Sequence, residues 1–122
     1  MQQIGVDIIE IDRIQDAIRR WGQVFLKRVY TERELEVYHQ SASLAARFAA
    51  KEAVMKTIDA PAWGVNFKEI EILSDAKGKP FIILYGKALQ YAHQLALSDF
   101  AVSLSHCRDY AVAMVVASKY ES

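Results

Sequence analysis

Two carboxylates stand where core packing would not place them. Asp7 interrupts the apolar run from Ile4 to Ile9, and Glu52 sits in the alanine-rich stretch Arg47-Phe48-Ala49-Ala50-Lys51-Glu52-Ala53. Strand interiors are depleted in Asp, and Asp and Glu are almost never buried without a partner. Something cationic should face them. With only two protein carboxylates on offer, a hard ion such as Mg²⁺ that also holds substrate phosphates fits better than a metal caged by protein. Lys56 lies one turn beyond Glu52 on the same helix face, where an ammonium can reach such a phosphate. Each residue alone also has a plain reading. Asp7 would be a turn or salt-bridge residue, and Glu52 with Lys56 an i,i+4 ion pair worth about 0.3–0.5 kcal/mol.

Periodicity indicates the elements that must position these side chains. Ile4–Ile9 reads as a strand. Asp12 caps a helix whose apolar residues Ile11, Ile14, Ile18 and Trp21 share a face, and Gly22 ends it. Thr31-Glu32-Arg33-Glu34 is a capping box ahead of Leu35 and Tyr38, so a second helix begins there. Ser43 caps a third, through about Ile58, dense in the helix former Ala. Asp59-Ala60-Pro61-Ala62-Trp63-Gly64 is a loop by its Pro and Gly. Ile70 and Ile72 then alternate with Glu69 and Glu71, which predicts a half-exposed strand with both glutamates in solvent. Asp75-Ala76-Lys77-Gly78-Lys79-Pro80 is turn chemistry, and Phe81–Leu84 pairs back as a hairpin. A helix from Gly86 to about Leu97 buries Ala88, Leu89, Ala92, Leu95 and Ala96. The last strands, about Phe100–Ser105 and Tyr110–Ala117, join across Cys107-Arg108-Asp109. The layout is an α+β domain with helices packed on an antiparallel-rich sheet.

The 122 residues make one domain, 1–122, large enough to bury a real core. Lys plus Arg and Asp plus Glu stand at 15 each, so no global charge argues for nucleic acid or a membrane surface. The apolar share, 52%, leaves apolar surface for a subunit interface. Cys107 is the only cysteine, which rules out an intrachain disulfide and makes a reducing compartment the simplest home. With no run of transmembrane length and no basic-then-apolar leader, the expectation is a cytoplasmic protein.

Five segments in order resemble the 4′-phosphopantetheinyl transferases, most of all their short bacterial type, the holo-acyl-carrier-protein synthases. Ile4-Gly5-Val6-Asp7-Ile8-Ile9-Glu10-Ile11-Asp12-Arg13-Ile14 and Arg47-Phe48-Ala49-Ala50-Lys51-Glu52-Ala53-Val54-Met55-Lys56 look like the two hallmark stretches. Phe67-Lys68-Glu69-Ile70-Glu71-Ile72, Gly78-Lys79-Pro80-Phe81-Ile82, and Val102-Ser103-Leu104-Ser105-His106 with Tyr110-Ala111-Val112-Ala113 complete the match. The resemblance implies that the phosphopantetheine arm of coenzyme A is moved, with Mg²⁺, onto a serine of an acidic apo acyl carrier protein, releasing adenosine 3′,5′-bisphosphate. It also implies a homotrimer whose active sites are built between neighbours.

By the same resemblance Asp7 and Glu52 are the metal ligands, and Lys56 binds phosphate. Arg47 lies near the 3′-phosphate of coenzyme A, with Lys51 a weaker candidate. Lys79-Pro80 and Ser105-His106 belong to the coenzyme pocket. The serine proton goes to Asp7 or Glu52 through a metal-bound water, or else to His106, whose ordinary pKa suits transfer near neutrality. The first helix docks the carrier protein through Arg13 and Arg20, two turns apart on one face with Arg19 beside them; without the resemblance they are the solvated face of an amphipathic helix. One stretch departs from the family pattern. Members often follow the Lys56 position with a glycine-rich loop, whereas here Pro61 removes a donor and Asp59 adds a negative charge. Trp63 there could cover a nucleotide or pack at an interface. The rival readings are a non-catalytic trimeric module that keeps coenzyme A or nucleotide affinity, and an unrelated α+β interaction domain.

Overall fold

The alanine-rich helix expected around Glu52 lies at the centre of the molecule, and the opening and closing strands pack directly against it. Small side chains permit that approach, since Ala45, Ala46, Ala49, Ala50 and Ala53 are all buried. The computed structural model describes residues 2–61 and 63–119, so Ala62 of the expected loop lies outside the described residues. In chain order the elements are β1 (Gln2–Glu10), α1 (Ile11–Trp21), α2 (Gln23–Val29), α3 (Glu32–Val37) and α4 (Ser41–Thr57). A 3₁₀ turn (Phe67–Glu69) leads into β2 (Ile70–Ser74), β3 (Pro80–Leu84), α5 (Gly86–Gln94), β4 (Leu97–His106) and β5 (Tyr110–Lys119).

The strands form two antiparallel sheets, one of order β1-β5-β4 and one hairpin, β2-β3. In the larger sheet Asp7 pairs with Ala113 and Ala113 with Leu104, so these three side chains share one face. That face is the buried one, carrying Gly5, Ile9, Ala111, Ala113 and Val115 against α4. Gly5 sits in close contact with the helix backbone. A Cβ added there would lie 3.0 Å from the carbonyl carbon of Ala53 and from Thr57 Cγ2, and nearer still to the Ala53 carbonyl oxygen. The opposite face is largely open, with Ile4, Val6, Ile8, Tyr110 and Met114 exposed.

The α+β architecture agrees with the sequence reading, and several details differ. α1 starts at Ile11 rather than after Asp12, because the Ile11 amide donates to the Asp109 carbonyl across the β4–β5 turn and needs no side-chain cap. Gly22, at φ 52°, ends α1 as expected, but α2 follows immediately, a short helix with no polar cap to announce it. Thr31 makes the full capping box with Glu34. α4 begins at Ser41 with Gln40 at its cap position, two residues before Ser43. α5 stops at Gln94, since Ala96 turns to φ 58° and β4 starts at Leu97.

The largest correction concerns β2. Glu71 is buried, not solvent-facing, and accepts hydrogen bonds from the hydroxyls of Thr31 and Tyr85 and from Arg33. Its bond with the Tyr85 phenol is the main reason that phenol is raised above its ordinary pKa. Glu69 is half-buried in the 3₁₀ turn, where its carboxylate accepts from the Asn66 and Lys87 amides.

Candidate active site

β1 carries Asp7 onto the face covered by α4, and the close approach at Gly5 holds the helix against the strand. Lys56, in the last turn of α4, donates to the Val6 carbonyl at 2.8 Å and to Asp7 Oδ1 at 3.3 Å. Glu52, one turn earlier, is half-buried beside them. Burial raises its carboxyl above the ordinary carboxylate range, the Asp7 charge raises it further, and Lys56 pulls it back. Two carboxylates held together with one exposed ammonium make an acidic, under-compensated site. Like charges disfavour mutual ionisation unless a cation intervenes.

The donor set suits a hard divalent ion. It supplies carboxylate oxygen only, and no cluster of three or more His, Cys, Asp or Glu side chains occurs among the described residues. An ion held by Asp7 and Glu52 would keep coordination positions for water and phosphate, as Mg²⁺ requires.

The remaining expected residues fall elsewhere in one copy of the chain. Arg47 is buried with its guanidinium engaged: Nε donates to the Ile72 carbonyl, the other nitrogens to the Ser43 carbonyl and Ser74 Oγ. It also stacks 3.3 Å from the Tyr38 ring centroid. Contact with a coenzyme phosphate would require it to leave these partners, so the expected role near the 3′-phosphate does not suit this geometry. Lys51 is fully buried with Glu34, not directed toward a ligand. The weaker expectation of a phosphate contact there is corrected by that burial.

Ser105 and His106 lie at the end of β4, two strands away from β1, a lateral separation of roughly 10 Å. Ser105 aligns with Val112 and Ile8 on the open face, while His106 aligns with Ala111 and Ile9 on the helix side. Lys79, exposed, and Pro80 sit at the start of β3, in the hairpin that packs beside β4. The expected residues thus divide between two places, the β1–α4 carboxylate cluster and the β4 side of the molecule. Trp63, 87% exposed, stands on the loop after α4. Cys107 is exposed in the β4–β5 turn. A hollow of about 420 Å³ lined by Lys27, Tyr30, Glu32, Leu35, Glu36 and Lys68 contains none of the expected site residues.

On α1, Arg13 and Arg20 are exposed, whereas Arg19 pairs with Asp16 at 2.9 Å. Only the first two have no ion-pair partner on that helix among the described residues, which leaves them available for an acidic surface. Sequence reasoning missed the buried pair Glu34–Lys51 and the Glu71 cluster. The capping box at Thr31 pointed to Glu34 as a cap; nothing in the pattern pointed to its second partner on α4.

Known proteins resemble this chain over nearly its whole length. Residues 3–115 match the model of the 4′-phosphopantetheinyl transferase superfamily. A holo-[acyl-carrier-protein] synthase of Dehalococcoides mccartyi is 51% identical over 118 residues, covering 96% of this chain and 98% of that protein. One from Herpetosiphon aurantiacus is 49% identical over 120 residues, covering 92% and 94%. Among solved structures, the Helicobacter pylori holo-[acyl-carrier-protein] synthase in complex with coenzyme A superposes with a TM-score of 0.85 at 31% identity, covering 94% of this chain and 99% of that one. The Bacillus anthracis synthase in complex with coenzyme A (3′,5′-ADP) gives 0.78 at 32% identity, covering 97% and 96%.

Proposed function

Since the chain belongs to the 4′-phosphopantetheinyl transferase superfamily, in its holo-acyl-carrier-protein synthase branch, we propose that it moves 4′-phosphopantetheine from coenzyme A onto a serine of an apo acyl carrier protein. The serine oxygen attacks the phosphorus that bears the pantetheine arm, the bridging phosphate–oxygen bond breaks, and adenosine 3′,5′-bisphosphate leaves. One observation carries the reading: Asp7 stands close enough to the half-buried Glu52 for its charge to help raise the Glu52 carboxyl, with Lys56 as counter-charge to both.

Asp7 and Glu52 would hold Mg²⁺. Bound there, the ion supplies neutralisation of the diphosphate charge as the leaving group departs. The protein's own contribution is positioning and electrostatics. Lys56 is the exposed partner: it would exchange its 3.3 Å contact with Asp7 for a phosphate oxygen while remaining tied to the Val6 carbonyl. Lys79, Pro80, Ser105 and His106 would line the coenzyme, and Arg13 and Arg20 would dock the acidic carrier, speeding encounter more than strengthening the complex. The serine proton would pass toward Asp7 or Glu52. His106 of the same chain is a poor base for it, being two strands away from Asp7.

That separation favours a homotrimer. The carboxylate cluster is on the β1 side and the expected coenzyme-lining residues on the β4 side, so a neighbouring copy could complete each site. The open sheet face, with Ile4, Val6, Ile8 and Met114 exposed, is the kind of apolar surface a second copy would cover. We assign the whole chain, 1–122, to one transferase domain acting in the cytoplasm; no helix among the described residues is long and apolar enough to cross a membrane.

Incubation with coenzyme A, Mg²⁺ and an apo acyl carrier protein should raise the carrier's mass by one phosphopantetheine. Tight coenzyme binding with no carrier adduct at any Mg²⁺ concentration would reject the transferase in favour of a binding module.

A further inference from the structure

β2 has one hydrogen-bonded neighbour, β3, and its other edge is closed by side chains. The Ile70 amide donates to the Phe67 carbonyl, and the Ile70 carbonyl accepts from Lys51 Nζ. The Ile72 amide donates to Glu34 Oε2 at 2.8 Å, and the Ile72 carbonyl accepts from Arg47 Nε at 3.2 Å. Lys51 Nζ also donates to Glu34 Oε1 at 2.8 Å and to the Phe67 carbonyl at 3.1 Å. Glu34 and Lys51 are both fully buried. Every polar group along this edge of Ile70 and Ile72 is thereby satisfied, and the groups that satisfy the last three come from α3 and α4.

Arg47 and Lys51 are four residues apart on α4 and face β2. Glu52 and Lys56 are also four apart, displaced by five residues, and face β1 and Asp7. One rigid helix therefore serves two clients about 140° apart around its axis. Apolar packing is a poor means of fixing its rotation, because the alanines that surround it form shallow ridges. Directional bonds from charged groups are a good means. The best-attested use of buried ionic groups is to select one register among several packings.

We propose that Glu34 and Lys51 are positioning residues for the Asp7–Glu52 pair: together with Arg47 they lock the roll of α4 about its axis and so set where Glu52 and Lys56 stand relative to Asp7. A roll of roughly 10° moves a side-chain tip by about 1 Å at the helix periphery. A displacement of that size in a positioned group lowers turnover by up to about a hundredfold. The kinetic part of the proposal rests on the transferase reading above; the geometric part does not.

The test pairs Glu34→Gln with Lys51→Met in one variant. The glutamine retains an acceptor for the Ile72 amide, the Phe67 and Ile70 carbonyls lose their Lys51 donor, and neither member of the pair is left charged without the other. Well below its melting temperature, the double variant should show kcat reduced ten- to a hundredfold with KM for the carrier protein unchanged, since Arg13 and Arg20 lie on α1. Its nuclear Overhauser contact between Gly5 and the Thr57 methyl should weaken, reporting rotation of α4 against β1 directly. A pair that merely stabilises the fold would lower the melting temperature and move neither readout. A folded double variant with native kcat and an intact Gly5–Thr57 contact overturns the proposal. If it does not fold, Glu34→Asp decides: it keeps both charges but shortens the reach, and should cost three- to tenfold in kcat with the same weakened contact, whereas native values for both refute the idea. If the wild-type chain transfers nothing to any carrier, the transferase reading fails while the Gly5–Thr57 contact still decides the positioning.

Discussion

Replacing Gly5 with alanine should separate the two elements that build the carboxylate cluster. The added Cβ would stand 3.0 Å from the Ala53 carbonyl carbon and from Thr57 Cγ2, and closer to the Ala53 oxygen, where ordinary contact begins near 3.4 Å. The strand backbone cannot yield freely, because Gly5 is paired in register with Val115 on the central strand. α4 must then withdraw by roughly 1 Å to restore van der Waals separation. Overpacking of this kind costs about 1–3 kcal/mol. Alanine returns about 0.5–1 kcal/mol through the lower entropy of its unfolded chain. The net loss is about 1–2 kcal/mol, seen as a fall of roughly 3–10 °C in melting temperature for a domain of this size. Turnover should fall more than stability does. The same withdrawal carries Glu52 and Lys56 away from Asp7, and about 1 Å of misplacement is worth roughly a hundredfold.

The assays are urea denaturation and transfer rates at 20 °C, where both proteins are folded. Gly22→Ala is the control. It forces alanine to φ 52° with its nearest contact, the Ile18 carbonyl oxygen, 4.0 Å away, so it should cost about 1–2 kcal/mol of stability and leave kcat at saturating carrier unchanged. A Gly5→Ala protein with native turnover would refute the argument that strand–helix contact at this glycine sets the site.

Four other outcomes follow from the geometry. Glu52→Gln should cut transfer by about 10²- to 10³-fold, as expected for removal of a group that organises developing charge, yet raise the metal-free melting temperature at neutral pH. Its carboxyl is raised by burial and by Asp7, so the wild type loses stability as pH climbs from the unfolded carboxylate range through that raised value, and a calorimetric pH series should show the glutamine variant escaping this loss. Lys56→Ala should change stability by less than about 1 kcal/mol, since its ion pair is exposed, while transfer falls about 10²- to 10³-fold. Arg13→Glu with Arg20→Glu should slow association with the carrier and flatten its salt dependence in stopped-flow mixing, with kcat at saturation kept. Val6→Asp, on the open sheet face, should shift sedimentation toward a monomer and abolish activity together; a variant that stays oligomeric would count against that face as the interface.

Much of the fold was legible because local chemistry announced it. The capping box at Thr31, Gly22 at the end of α1, and the Asp75–Lys79 turn with its hairpin each appear where the sequence pattern points. These signals act over a few residues, within reach of one side chain and its own backbone. Asp7 and Glu52 were legible for a different reason: each sits among apolar or small residues that would otherwise exclude a charge. What stayed hidden involved partners far apart in the chain. Glu71 alternates with isoleucines as a solvent-facing residue would, yet Thr31, Arg33 and Tyr85 close over it. Lys51 and Arg47 read as ligand-binding cations beside Glu52, but both turn toward β2.

The chain's own residues determined which charges stand out, Asp7 in an apolar strand and Glu52 in an alanine-rich helix with Lys56 one turn on, because a charge among such residues needs a partner. They also determined the helices and strands that carry them. Tertiary structure alone decided which charges are spent on architecture and which remain free. Arg47, Lys51 and Glu52 lie within six residues on one helix, and a rotation of about 100° per residue sends neighbours to different surfaces. Only the packed positions of β1 on one side and β2 on the other turn Glu52 toward Asp7, and Arg47 and Lys51 toward β2.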